Sequence, residues 1–243
     1  MKTNTAVALI FSIAIVLSTY LLSTAYIERG SSSGTVSVKG LGKIDFVSDL
    51  IVWSGEFSAQ NTDLKTAYTE LEKERKIIAD YFKSKGINQD AIFSAVSTEK
   101  IYKDVYTENG KYAGQEFTGY KLKQSVTITS KKVNLVENIS REITELLNQG
   151  VEFYSDAPRY YYTKLEDLKL KLIEAATKNA RERAEKIVEQ AGADLGDLVS
   201  AKMGVFQITG QYSDEDYSWG GTFNTSSKEK TASITVRLIY TVE

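Results

Sequence analysis

The sequence predicts an α+β fold: two βαβ-like units whose antiparallel sheets are packed by long helices, preceded by an N-terminal transmembrane or signal helix. Three observations support this fold class. Several segments alternate apolar and polar residues, as half-buried strands do. Long segments carry apolar residues at three- and four-residue spacing, as amphipathic helices do. The chain also opens with a long uncharged run, and its 42% hydrophobic content is enough to bury a core behind that run.

The N-terminal segment has no charged side chain between residues 3 and 27, and its apolar part covers residues 6–22. That length suits a membrane span better than the shorter apolar region of a secretory signal. We therefore expect residues 1–29 to form an uncleaved signal anchor that meets the membrane through residues 6–27. Cleavage after Ser23-Thr24-Ala25 is the alternative.

The charge distribution around this run predicts where the body lies. Lys2 precedes the apolar segment, which favours a cytoplasmic N-terminus. We expect the chain in the cell inner membrane with its body facing the periplasm, or soluble in the periplasm if the leader is cleaved. Residues 30–34, Gly-Ser-Ser-Ser-Gly, are predicted to be a flexible linker, and residues 35–243 the folded domain.

The first half of the body is predicted to contain four strands and one helix. The strands are at about 35–39, 51–58, 92–106 and 112–129, and the helix is at 62–85. Gly86 follows the helix where a left-handed cap is expected. Asn109-Gly110 is typical of a tight hairpin turn. Gly40-Leu41-Gly42 lacks the third glycine and the helix of a dinucleotide-binding loop, so a turn at the end of the first strand is predicted.

The second half is predicted to contain helices at about 133–148 and 163–190 and strands at 151–162, 198–208 and 232–242. Pro158 is the only proline and restricts its strand to an edge or a bend. Alanines fill the middle of the apolar stripe of the longer helix, which lets that helix lie close to a sheet. Segments 86–95 and 192–201 both follow a long helix with a glycine and then a Ser-Ala pair. We interpret them as an internal duplication giving two subdomains; two unrelated connections are the alternative.

The composition excludes most catalytic chemistry. With no histidine and no cysteine, the chain has no Ser-His-Asp or Cys-His centre, imidazole ligand, thiolate or disulfide. A net charge of −2 argues against nucleic-acid binding. The Gly30–Gly34 segment matches the sequence pattern of a nucleophile elbow but lacks the strand, the helix and the histidine base that this motif needs. Asp214-Glu215-Asp216 lacks the ligand spacing of a calcium loop. We expect no catalytic residue, no cofactor and no bound metal.

Three stretches, in their order, give the chain a family resemblance over about residues 35–242. They are the strand Thr35–Ile44 with its Gly-x-Gly, the strand Gly119–Thr129 before a Leu/Ile-rich helix, and the alanine-rich helix ending at Ala191-Gly192. With them the chain resembles the SIMPL-domain family, which includes YggE-like envelope proteins and the 26 kDa periplasmic immunogenic protein. The chain departs from the family pattern at Val47-Ser48-Asp49, which lacks a common proline, and in the segment 207–230.

The resemblance implies an exported α+β protein that is prone to self-assembly and associated with the cell envelope and oxidative stress. It supplies no established catalytic residues. We therefore expect a non-enzymatic, membrane-tethered extracytoplasmic protein that forms a homo-oligomer and supports the envelope or the oxidative-stress response. Exposed aromatic residues are the predicted interface, because tyrosine and tryptophan dominate contact surfaces. They are Tyr160, Tyr161, Tyr162, Tyr212, Tyr217 and Trp219.

Two alternatives remain open at this point. One is an envelope hydrolase of a Ser/Lys or cation-assisted type, which requires a deep pocket where lysine, serine and carboxylates converge with a perturbed pKa. The other is a ligand-binding module that uses the aromatic loop at 210–230.

Overall fold

The computed structural model describes residues 2–30, 34–88 and 90–243. Residues 31–33 of the predicted linker lie outside this description. The fold is mixed α+β with antiparallel sheets, as predicted, and contains four α-helices within the described residues. The elements are α1 (Lys2–Gly30), β1 (Thr35–Val47), β2 (Leu50–Asn61), α2 (Leu64–Ser84), β3 (Ala91–Phe93), β4 (Ser97–Tyr106), β5 (Tyr112–Ser130), α3 (Val133–Glu142), a 3₁₀ helix (Ile143–Gln149), β6 (Phe153–Ser155), β7 (Arg159–Tyr161), α4 (Leu165–Gln190), β8 (Leu195–Met203), β9 (Gln207–Gly210) and β10 (Glu229–Val242).

The chain folds into two compact units, each built from non-contiguous segments. The smaller unit comprises residues 1–42, 174–204 and 235–243, and the larger unit comprises residues 43–173 and 205–234. Strands β1 and β10 and helix α4 therefore contribute residues to both. The duplication into two subdomains stays a prediction.

Strand β2 is the centre of the six-stranded sheet in the larger unit. It pairs antiparallel with β5 along its length, from Ile51 opposite Ser130 to Asn61 opposite Tyr120. Its other edge pairs with β6 and β7. The predicted strand at 151–162 is thus two short strands, separated by a segment that contains Pro158. Proline has no amide hydrogen to donate to a neighbouring strand, so the break between the two strands occurs around the proline, where a bend was predicted.

The core of the larger unit lies between β2 and α2. Ile51, Trp53 and Phe57 alternate along β2 and are at most 1% exposed. They face the apolar stripe of α2, where the Trp53 and Phe82 rings meet edge-to-face with centroids 6.0 Å apart. Each fully buried large apolar side chain contributes roughly 1.5–3 kcal/mol relative to exposure. The buried residues on α2 are Ala67, Leu71, Ile78, Tyr81 and Phe82.

The ends of α2 follow ordinary capping chemistry. The Asp63 carboxylate accepts a hydrogen bond from the amide of Thr66 at 2.8 Å, which caps the first turn. At the other end Gly86 has φ +86°, the left-handed conformation that glycine tolerates best. Both ends confirm the helix predicted at 62–85.

Two predicted elements are interrupted. The strand predicted at 92–106 is divided into β3 and β4, because Phe93 lies opposite Val126 whereas Ser97 lies opposite Lys123. Three residues on one side therefore face two on the other, and the extra residue breaks the ladder. The helix predicted at 133–148 is α-helical only to Glu142 and continues as the 3₁₀ helix Ile143–Gln149, which Gly150 ends with φ +78°.

In the smaller unit, α4 packs against β1 through small residues. Ala176, Ala180 and Ala184 are fully buried. The turn predicted at Gly40-Leu41-Gly42 is wrong, because β1 continues through these residues to Val47. A Cβ atom on Gly40 would lie 2.5 Å from the Ala180 nitrogen and closer still to the Ala176 carbonyl oxygen. The glycine therefore permits a close helix approach rather than a turn.

The N-terminal helix α1 exposes many large apolar side chains. Over the residues that the structure describes, no helix is long and apolar enough to cross a membrane. The anchor at residues 1–29 therefore stays a prediction. The exposed side chains are Ile10, Phe11, Ile13, Ile15, Val16, Leu17, Tyr20, Leu21, Leu22 and Tyr26.

We expect Gly40→Ala to lower the free energy of unfolding by about 3 kcal/mol, because the added methyl group meets backbone atoms that cannot move aside. Denaturant unfolding of the full chain measures this. The matched control is Gly34→Ala, whose Cβ would lie 3.8 Å from Val242 Cβ, an ordinary contact. Equal stability of the two variants would contradict the close packing of α4 on β1.

Candidate functional site

The predicted contact residues differ in their exposure. Tyr160 is only 7% exposed, and its hydroxyl donates to Glu137 Oε1 at 3.2 Å. Tyr161 and Tyr162 are half-buried. Tyr212, Tyr217 and Trp219 are 95%, 67% and 100% exposed. Because Tyr160 is buried, its ring is not available for contact with a partner in this structure. A contact role for the other five residues stays a prediction.

The segment between β9 and β10 is ordered by internal polar bonds. Glu215 accepts hydrogen bonds from the amide of Gly210 and the side chain of Asn224. The Gln207 carboxamide accepts from the amide of Thr222 at 2.9 Å and donates to the Ser218 carbonyl at 2.8 Å. The middle carboxylate of Asp214-Glu215-Asp216 thus holds the loop together. No group of three or more carboxylates suited to a metal ion occurs among the described residues.

Lys230 is a buried charge that the sequence analysis missed. It is 2% exposed, and its amine donates to the backbone oxygen of Tyr160. Burial lowers the pKa of the Lys230 amine to about 8, and the nearby Glu215 carboxylate opposes that shift. The amine therefore connects β10 with β7. A lysine within the buried stretch of the last strand is the signal that could have revealed it.

The hairpin of β4 and β5 is largely exposed along β4 and the first part of β5. Beyond Tyr120, β5 no longer has β2 beside it, so residues 101–118 form a two-stranded ribbon, which we call the hairpin arm. The predicted turn is confirmed: the Gly110 amide donates to the Thr107 carbonyl at 2.8 Å, and Gly110 has φ +72°. Because the partner strand ends at Asn61, the arm has two open edges within the described residues.

Aromatic pairs cross the hairpin arm from strand to strand. Ring centroids are 5.9 Å apart for Tyr102 and Phe117 and 6.0 Å apart for Tyr106 and Tyr112, both edge-to-face. These four side chains are all exposed. The sequence analysis identified the turn but not this aromatic surface, because alternation alone does not show that a strand lacks a sheet on both faces.

A polar cleft of about 530 Å³ opens beside α2, the end of β2 and the segment before β6. Burial raises the pKa of the Glu74 carboxyl to about 7, and the charges of Glu152 and Glu70 add to the rise. Glu74 Oε2 is buried and has no hydrogen-bond partner among the described residues. The cleft can therefore exchange a proton near neutral pH. Other lining residues are Ser58, Lys73 and Lys121.

We expect Glu74→Gln to stabilise the protein at pH 8 by about 1–2 kcal/mol, a figure discounted for partial solvent screening. The folded-state pKa of about 7 lies above the unfolded value, so the carboxyl destabilises the fold increasingly as pH rises from about 4.5 to 7. Unfolding measured between pH 4 and 8 should show a smaller loss of stability in the variant. Glu108→Gln, in the hairpin turn, is the control. A wild-type pH profile in Glu74→Gln would overturn this assignment.

Comparison with known proteins supports one assignment. The family model SIMPL, described as a protein of unknown function (DUF541), matches residues 36–240. A search of curated proteins finds no match. The family match covers most of the chain, including the larger unit with its hairpin arm and the α4 helix. It confirms the resemblance drawn from the three sequence stretches: the chain belongs to the SIMPL family.

Proposed function

We propose that this protein is a non-enzymatic, membrane-tethered scaffold that works outside the cytoplasm and assembles with copies of itself through the hairpin arm. The observation that carries the proposal is an exposed two-stranded ribbon with an aromatic surface and open edges. Support for envelope and oxidative-stress roles comes from the family resemblance alone.

The physical argument begins with the stability of the arm. A two-stranded hairpin without a third strand or a covering helix is only marginally stable in water. Its open edges present unpaired backbone amides and carbonyls, which pair readily with another strand. Exposed tyrosine and phenylalanine rings add the contact area that dominates binding energy at interfaces. The arm therefore has the features of a surface that a partner covers.

Charge pattern favours a second copy as that partner. Two β4 strands paired antiparallel and centred on Tyr102 would bring Lys100 opposite Asp104 of the other copy, and the reverse. A slip that pairs Lys100 with Lys103 instead would place like charges together, which destabilises a strand pair. That slip would also turn the aromatic rings to the other face.

Tethering rests on the N-terminal segment. Residues 3–27 carry no charge, and the apolar side chains of α1 are exposed. Apolar surface of this extent is stabilised by burial in lipid or against another protein. A lipid bilayer covers a helix on all sides, and α1 is apolar on all sides rather than on one stripe.

The aromatic loop supports a second candidate function, binding of a ligand. Trp219 is fully exposed, and Tyr212 has φ +58°, a conformation that costs energy in residues other than glycine. Such strain concentrates at functional sites. This second candidate predicts that removing residues 211–227 abolishes ligand binding.

Charge reversal tests self-assembly through the arm. We expect Lys100→Asp alone to weaken the assembly about tenfold, because it places two carboxylates opposite each other. The double variant Lys100→Asp/Asp104→Lys exchanges the charges and should restore wild-type assembly. Mass in solution, measured by light scattering over a concentration series in detergent, reports the result.

Lys171→Asp is the matched control, since it makes the same charge reversal at an exposed lysine on α4, outside the arm, and should leave assembly unchanged. A strictly monomeric wild-type chain at high concentration would overturn the proposal. Loss of assembly in the double variant equal to that in Lys100→Asp would overturn the proposed strand register.

The tether is tested by deleting residues 1–30. We expect the full chain to stay with membranes through alkaline extraction, because apolar burial does not depend on salt or pH. The shortened chain should be released. An added protease should digest the body only from the periplasmic side. Release of the full chain into the soluble cytoplasmic fraction would contradict both the tether and the location.

A further inference from the structure

A second cavity, of about 570 Å³, lies in the larger unit where the end of β1 meets the start of α3. Its lining combines the N-terminal turn of that helix with apolar side chains and three lysines. No residue of this cavity belongs to the hairpin arm or to the Glu74 cleft. Its lining residues include Val47, Ser48, Lys131, Lys132, Val133 and Lys228.

The start of α3 is not capped. Lys132 occupies the N-cap position with φ −80° and ψ 62°, and no side chain accepts a hydrogen bond there. The first turn contains no acidic residue. The amides of Val133, Asn134 and Leu135 have no acceptor among the described residues. Unsatisfied amides and the positive end of the helix dipole together attract an anion.

Ser48 gives an independent sign of a missing ligand. It is 4% exposed, and its hydroxyl oxygen has no hydrogen-bond partner among the described residues. Its backbone amide is already satisfied by the Lys228 carbonyl at 2.9 Å. A buried hydroxyl without a partner destabilises the fold, so a ligand that accepts a hydrogen bond from it removes that destabilisation.

The charges around the cavity favour an anion. Lys131 and Lys132 form no ion pair within the part of the chain that the structure describes. The Lys228 amine contacts Glu137 at 2.9 Å and Asn134 at 2.6 Å. Among the described residues, Asp49 is the one carboxylate that lines the cavity, and both its oxygens accept hydrogen bonds from Thr163 at 2.7 Å.

We propose that this cavity binds a phosphate monoester, with the phosphate on the α3 amides, Ser48 and Lys132. A phosphate group offers several strong acceptor oxygens and the negative charge that the helix start favours. The cavity is larger than a phosphate ion, and Val47 and Val133 line the remaining space. That space suits an apolar group attached to the phosphate, whether in a soluble ester or in a lipid headgroup.

Calorimetric titration of the full chain in detergent tests this, with inorganic phosphate and with dihexanoyl phosphatidic acid as separate probes. Ser48→Ala should weaken binding about tenfold, since one hydrogen bond to a charged group is lost. Without ligand, Ser48→Ala should melt no lower than wild type, because it removes an unsatisfied hydroxyl. A purely structural serine would give a lower melting temperature.

Lys132→Asn is the sharper variant. The asparagine side chain can cap α3 itself, so we expect a higher melting temperature without ligand and at least about tenfold weaker binding. Lys171→Asn removes an exposed lysine from α4 and is the charge-matched control. Binding of both probes supports a soluble source of phosphate, and binding of phosphatidic acid alone supports a lipid headgroup. No saturable binding of either probe, or equal binding by the Lys132 and Lys171 variants, overturns the proposal.

Discussion

Pairing of β2 on both edges is the constraint on which the larger unit depends. One face of this strand must bury Ile51, Trp53 and Phe57, so its register with β5 is fixed by side-chain burial as well as by hydrogen bonds. Gly55 lies between the large residues on the same face, and the Phe153 ring occupies the space above it. The Trp53 indole then donates to Ser155 Oγ at 3.0 Å, which ties β6 to the same centre. The position of α2 and the cleft beside it follow from that arrangement.

Local chemistry made much of the fold predictable from the sequence. Asn109-Gly110, Gly86 and Gly150 fix backbone conformations by themselves, so their positions could be read without tertiary information. The predictions fail where contacts between residues far apart in the sequence determine the local structure. Gly40 looks like a turn residue because the sequence does not show that α4 lies against it. The bulge between β3 and β4 depends on the register with β5, which no local pattern encodes.

The candidate sites were less predictable than the fold, because residue type does not determine burial. Tyr160 and Tyr162 belong to the same run of three tyrosines, yet Tyr160 is buried and Tyr162 is only half-buried. The chain has no histidine, so a side chain titrates near neutral pH only where burial shifts its pKa. Glu74 and Lys230 are two such residues. Neither residue forms part of a recognisable motif. The empty cap of α3 could have been noticed, since Lys131-Lys132 stands where Ser, Thr, Asp or Asn is usual.

The hairpin arm also has a definite length. The eight residues of β5 before Tyr120 cover about 25 Å at the rise of an extended strand. In the proposed antiparallel pairing of two β4 strands, the outer end of each arm would lie beside the base of the other copy's arm. Because this pairing is two-fold symmetric, it would close on itself as a dimer rather than extend into a lattice.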